Sequence, residues 1–286
     1  MSDLVGYLLT GLGIGAGFAL VGSGLVVIHR VTGVVNFAQG SFAVLAALLT
    51  STLLGAGLPH GVAEAGGVAL GAVAGLIVGV IAIGRPGTSP GTSLIVTLGL
   101  GVLAYAIEVL IWGDQPRSFP GLTGVAEIGG ARIPAHYLLI IAVAAPVFLF
   151  LAWFFARTDL GRALSACSSN RYAARVVGID VRRMGLLAFL IGGALGGLAG
   201  VLTTPVQQVT FDSDVVLIVN GFAAAVLGGL TRPVIALAGG LLLGVAQTLT
   251  AGYGGGAYQV EVALVLMLTV MIVQAARTGG IPEPAR

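Results

Sequence analysis

Lysine is missing from all 286 residues, and cysteine occurs once, as Cys167. Without lysine the phosphate-cradling pattern GxxxxGK[ST] cannot be built. Any ATP hydrolysis that drives this chain must therefore be carried by another one. A lone cysteine excludes an intrachain disulfide. Charge is scarce as well: Asp, Glu, Lys and Arg make up 8% of the chain, against about a quarter in soluble domains. His29, His60 and His136 are far apart and fall near the ends of apolar runs, so with Cys167 alone they assemble no metal set and read as interfacial. No serine has a histidine and an acid in a recognisable nucleophile arrangement. The residues point to no enzyme. The N-terminus lacks the basic region of a signal peptide, and the first apolar run is too long for a signal core, so it reads as a retained span.

Apolar residues are abundant, at 57% of the chain, and the mean hydropathy is +1.06. Runs long enough to cross roughly 30 Å of hydrocarbon recur throughout. The fold class expected is an all-α polytopic membrane protein, a single bundle of 8 to 10 transmembrane helices over 1–286. Nine candidate spans are 4–28, 37–57, 62–84, 92–112, 137–156, 184–204, 214–230, 234–251 and 258–276. The seventh and eighth are short, and could form one broken hairpin that does not fully cross.

Arginine placement orients the bundle. With the N-terminus outside and the C-terminus inside, eleven of the thirteen arginines fall inside, and only Arg117 and Arg132 fall outside. The net charge of +2 therefore reports membrane sidedness rather than a nucleic-acid partner. The segment 113–136 becomes an external loop whose Pro and Gly residues predict turns or a short hairpin. Glycines repeat every four residues at Gly67, Gly71, Gly75 and Gly79, and again at Gly192, Gly196 and Gly200 beside Gly193 and Gly197. Such stripes let membrane helices approach closely.

Glu64, Glu108 and Glu261 all lie near external ends of spans and read as interfacial, which leaves no carboxylate clearly at mid-membrane. That argues against a proton- or sodium-coupled secondary carrier, whose coupling site needs polar ligands near the midplane. The sequence Asn36-Phe37-Ala38-Gln39-Gly40 interrupts apolar surroundings, with Gly33 before it. Glycine and amides there predict a discontinuous helix near 32–40. Asn36 and Gln39, three apart, share nearly one helix face. They either line a pore or make an interhelical amide hydrogen bond. A structural scaffold would leave this motif without a purpose. Asn220-Gly221-Phe222-Ala223-Ala224 is a short echo of it.

Six arginines crowd into 157–183, an inside loop on this orientation. Ala163, Cys167, Asn170, Ala174 and Val177 recur at spacings of three and four, which predicts a helix with a small-residue stripe. Gly178 can end that helix and Asp180 can cap the next. Positive-inside anchoring explains the charge; the stripe adds the shape of a docking element for another protein.

These residues resemble a known family. Thr32-Gly33-Val34-Val35-Asn36-Phe37-Ala38-Gln39-Gly40 is similar to the signature after the first span of branched-chain amino acid ABC-transporter permeases. Ser168 to Asp180 resembles their cytoplasmic coupling loop, and Leu227-Gly228-Gly229-Leu230 and Gly239 to Gly244 resemble their late glycine elements. The chain departs from the pattern at Thr231-Arg232-Pro233, where the family has a small Gly-Ser-type turn. The length resembles the shorter of the two permease types.

The resemblance implies a plasma-membrane importer subunit for branched-chain or other small hydrophobic amino acids, with urea or short amides as the alternative cargo. It implies a second permease subunit, two cytoplasmic ATPases that use ATP and Mg, and an external substrate-binding protein. No cofactor is expected on this chain. Carried over residue by residue, Thr32, Asn36, Phe37, Gln39 and Gly40 become translocation-path candidates. Asn170, Ala174, Gly178 and Ile179 become ATPase-coupling candidates, with Arg171 and Arg175 as supporting charges.

Overall fold

The structure is a computed structural model that describes residues 2–83, 89–210, 212–230, 232–254 and 259–277. The expected inside residues Arg85 and Arg286, and Thr231 of the divergent turn, lie outside them.

Among the described residues, nine apolar helices correspond to the nine expected spans. They are α1 (Ser2–Thr32), α2 (Gln39–Gly55), α3 (Val62–Ile83), α4 (Pro90–Trp112), α5 (Ala135–Arg157), α8 (Val181–Thr203), α9 (Ser213–Leu227), α10 (Ile235–Gly254) and α11 (Gln259–Arg277). Between α5 and α8 lie two short amphipathic helices, α6 (Asp159–Ser169) and α7 (Arg171–Val176). Six of the nine are long and apolar enough to cross a membrane, while α2, α9 and the apolar part of α11 are shorter. At 1.5 Å per residue, α1 is about 46 Å long and α9 only about 22 Å. The expected hairpin between the fourth and fifth spans is present, with β1 (Val125–Ile128) antiparallel to β2 (Ala131–Pro134).

The element order places β1–β2 at one end of the bundle and α6–α7 at the other. Gly6 of α1 packs near Ala131 of the hairpin, and Gly33 beyond its far end packs on Arg171 of α7. Arg30, Arg157 to Arg183 and Arg232 therefore collect at one end, and Arg117 and Arg132 at the other.

Helix α1 is the axis of the bundle: 89% of its most apolar window is buried, against 17% for α4 and 22% for α5 at the periphery. Both expected glycine stripes are packing seams. A methyl group on Gly71 of α3 would lie 2.8 Å from the Gly193 carbonyl oxygen of α8. The other α8 stripe turns the opposite way, Gly192 toward Ile28 of α1 and Gly200 toward the Ala43 backbone of α2. A further seam joins Gly11 and Gly15 of α1 to Gly240 and Gly244 of α10. Lipid supplies no hydrophobic drive between helices, so this close backbone packing is what holds them together.

Candidate functional site

The chain breaks where the sequence predicts. Gly33 closes α1 with φ of +68°, and its N–H donates to the His29 carbonyl at 2.7 Å. Thr32 Oγ1 donates to the Ile28 carbonyl and accepts from the Val34 N–H. Residues 34–36 have no regular structure, Phe37 and Ala38 form a turn, and α2 begins at Gln39. Asn36 Oδ1 accepts from the Ala38 N–H at 3.2 Å, and Asn36 Nδ2 donates to Gln39 Oε1 at 3.4 Å. Gln39 Nε2 donates to the Gly192 carbonyl at 2.8 Å. Gly192 is the central residue of α8, so the break lies at mid-depth in the bundle. Asn36 and Gln39 are both fully buried. Their amides satisfy the backbone that the break frees and tie it to α8. This is the hydrogen-bonded alternative of the two that the spacing left open. Phe37 is 41% exposed and, with Val35, Leu25 and Phe222, lines an apolar groove.

Helix α4 turns Thr97 and Gly101 toward this break. Thr97 Oγ1 accepts from the Phe37 N–H at 3.3 Å and donates to the Leu94 carbonyl, and a methyl group on Gly101 would lie 3.6 Å from the Phe37 carbonyl oxygen. Seven residues on, and so on nearly the same face, is Glu108. It is fully buried, and neither carboxylate oxygen has a hydrogen-bond partner. The sequence reading of Glu108 as a solvated interfacial residue is corrected: its face of α4 is packed against the bundle. Asp214 opens α9, its backbone carbonyl rests on Gly40, and its Oδ2 accepts from Ser41 Oγ at 3.4 Å. Because Gly40 follows Gln39, this carboxylate also sits near mid-depth. The expectation that no carboxylate lies there is therefore corrected too. Its position was hidden in the sequence because Asp214 begins a helix that starts inside the bundle.

A cavity of about 120 Å³ lies beside the same turn of α9, lined in part by Thr203, Thr204, Gln207, Ser213, Asn220 and Gln247. Gln247 Nε2 donates to Asn220 Oδ1 at 2.6 Å, so the echoing Asn220 also belongs to a buried amide pair.

At the opposite end, α6 and α7 form a helical elbow. The expectation of one helix with a continuous stripe is corrected, because Asn170 ends α6 and caps α7, its Oδ1 accepting from the Ala173 N–H at 3.0 Å. A capping Asx side chain competes with helix continuation. Cys167 and Ala174 point into the bundle, against Val27, Val31, Leu164 and Ala188. Two of the five stripe residues thus face the protein itself. Burial pushes the Cys167 thiol up from its ordinary value, against the pull of Arg171 and Arg175, and lowers Arg171. Such a thiol is packing rather than a nucleophile.

Gly178 stops α7 with φ of +87°, and Asp180 caps α8 through the N–H groups of Arg182 and Arg183. Ile179 packs under the elbow. What α7 and its end present outward is Arg175 with Tyr172 (78% exposed), Val176 (71%) and Val177 (74%). Sequence reasoning missed Tyr172 and Val176. Exposed apolar residues beside arginines on a loop would have been the signal for them.

Residues 7–275 match the family described as branched-chain amino acid transport system / permease component. The chain belongs to this family. It is 28% identical over 96% of its length to the high-affinity branched-chain amino acid transport system permease protein BraD of Pseudomonas aeruginosa, covering 95% of that protein. The same figures hold for LivH of Salmonella typhimurium. A more distant match is the D-allose transport system permease protein AlsC of Escherichia coli, 27% identical over 82% of this chain and 69% of that one. Among solved structures, PsaBC from Streptococcus pneumoniae in complex with Fab shares the fold, with a TM-score of 0.56 at 15% identity over 95% of this chain and 91% of that one.

This permease is thus a multi-pass membrane subunit of an ABC import system, and the ATPase of such a system resides on other subunits.

Proposed function

We propose that this permease imports branched-chain or other small apolar amino acids into the bacterial cytoplasm. The observation that carries the reading is the end-to-end similarity to BraD and LivH, whose names state that cargo. The full system then contains a second, paralogous permease subunit, two cytoplasmic ATPases and an external binding protein that delivers the solute. In this reading the arginine end faces the cytoplasm, in keeping with the positive-inside bias of membrane proteins. The α6–α7 elbow docks an ATPase through Tyr172, Arg175, Val176 and Val177, while Asn170, Ala174, Gly178 and Ile179 shape it from within. Closure of the ATPases moves the elbow and shifts the bundle between its two access states. That shift requires that the closed ATPase bind one state more tightly than the other.

The solute route runs past the break. Thr32, Asn36, Gln39 and Gly40 hold the break in shape, and Phe37 is its exposed element. Amide and hydroxyl groups suit a zwitterion and suit urea or short amides equally, so the cargo is decided by transport. Uptake of labelled leucine is measured in cells with and without the gene, with excess valine or urea as competitor. Gene-dependent uptake competed by valine and not by urea is the expected result. Gene-dependent uptake of urea with no uptake of leucine would move the cargo to small amides.

A further inference from the structure

We infer that a cleft between α3 and α5, at the hairpin end of the bundle, binds one acyl chain of a phospholipid whose phosphate and primary ammonium rest on His60 and Glu64. Helix α8 is the floor of this cleft. Its glycine stripe carries α3 on one side. On the other, Leu195, Ala199 and Leu202 pack with Ile140, Ala144 and Phe148 of α5. Between the two walls is a cavity of about 480 Å³, lined by Leu139 and Val143 of α5, Leu198 and Leu202 of α8, and Pro205 just beyond it. That volume falls within the roughly 300–1,000 Å³ of small-molecule sites.

The lining suits hydrocarbon and not a polar solute. His136 reaches the cavity, but its Nδ1 accepts from the Leu122 N–H at 3.0 Å. Its Nε2 therefore carries the proton and donates to the Leu202 carbonyl at 2.9 Å. With both nitrogens taken, the ring offers only carbon to an occupant. The other polar side chains on the cavity, His60 and Glu64, stand where α3 begins. An apolar cavity left unfilled forfeits dispersion contacts along its walls, which a hydrocarbon chain restores.

Position supplies that chain. His136 to Val143 spans seven residues, as does Leu198 to Pro205, so the cleft descends about 10 Å from the end of the bundle. That is about a third of a hydrocarbon core of roughly 30 Å. The walls belong to helices whose outer faces are apolar and exposed, at Val73 and Ile77 of α3 and at Leu149 and Phe150 of α5, so lipid flanks the cleft. At the rim, His60 Nδ1 lies 2.7 Å from Glu64 Oε1, and Glu64 Oε2 accepts from the Gly61 N–H. The His60 side chain is 62% exposed. An imidazole beside a carboxylate complements a headgroup that carries both a phosphate and an ammonium with three donors. A headgroup with phosphate alone leaves the carboxylate unanswered.

This site is independent of which solute the permease carries. The test uses the whole transporter, with its partner permease and ATPases, in phosphatidylcholine vesicles. The probe is phosphatidylethanolamine with a photoreactive diazirine midway along one acyl chain, and adducts are mapped by peptide mass. Labelling at 139–143 and 198–202 should saturate at low probe content and be lost in excess unlabelled phosphatidylethanolamine. Labelling at the lipid-facing Ile77 and Phe150 should rise in proportion to the probe. Cleft labelling that rises in the same proportion, or that is missing, overturns the inference. Leu198→Trp adds bulk on the half-buried floor and should remove the saturable component while Phe150 is still labelled; an unchanged component overturns the site. Excess phosphatidylglycerol should compete poorly with the probe in the wild-type complex. Equal competition by both lipids overturns the headgroup assignment. The double variant His60→Ala and Glu64→Gln should lose the preference, and a preference that survives it overturns the role of the rim.

Discussion

Removing one amide from the Asn36–Gln39 pair strands the others. Asn36→Leu leaves the Ala38 N–H and Gln39 Oε1 without their partners in a fully buried place. An unsatisfied buried polar group costs about 1–3 kcal/mol. The expected outcome is a subunit that unfolds at lower temperature in detergent, with less of it in the membrane. Phe37→Ala, at an exposed position, should keep the wild-type melting temperature and act on transport alone. An unchanged melting temperature for Asn36→Leu would mean that the pair holds nothing together. The motif itself was legible, because amides and glycines inside an apolar stretch have few other uses. Its partner was not, since Gly192 lies 153 residues away and acts through its backbone. Glu108 was misread for a related reason. Distance to the end of a span says nothing about which face of the helix meets the bundle.

At the scale of elements, the arginine-rich loop shows how spacing can be read correctly and its consequence wrongly. The periodicity through Cys167 and Ala174 is real, but it marks the inward face of two helices joined at Asn170. Ala174→Glu therefore buries a charge among Val27, Val31 and Leu164 and should deplete the folded subunit, visible as lost protein in the membrane fraction. Tyr172→Ala combined with Val176→Asp changes only exposed side chains. It should leave the subunit level intact, weaken co-purification of the ATPases and reduce uptake. If both variants behave alike, α7 has no separate docking face. The caps at both ends of this elbow were legible from single residues, because Gly178 and Asp180 act on the backbone beside them. The face was not, because it depends on where α1 and α8 lie.

At the scale of the whole molecule, hydropathy marked every apolar helix, since a bilayer admits only elements that satisfy their own backbone. It placed the ends less well: α1 continues to Thr32, and α2 and α9 start inside the bundle rather than at its surface. Among the described residues, the fold gathers Arg30, the elbow arginines and Arg232 at one end, leaving Arg117 and Arg132 at the other. The proposal that the arginine end faces the cytoplasm rests on that bias, and a labelling experiment decides it. The native thiol must first be removed by Cys167→Ala, although at 1% exposure it should react slowly. In that background Glu127→Cys introduces a thiol on the exposed hairpin, and Ser169→Cys introduces one on the exposed surface of the elbow. A membrane-impermeant maleimide added to intact spheroplasts should label the hairpin thiol at once and the elbow thiol only after permeabilisation. The reverse pattern would put the arginines outside. The elbow could then not reach a cytoplasmic ATPase, and the coupling role assigned to Tyr172 and Val176 would fall with the orientation.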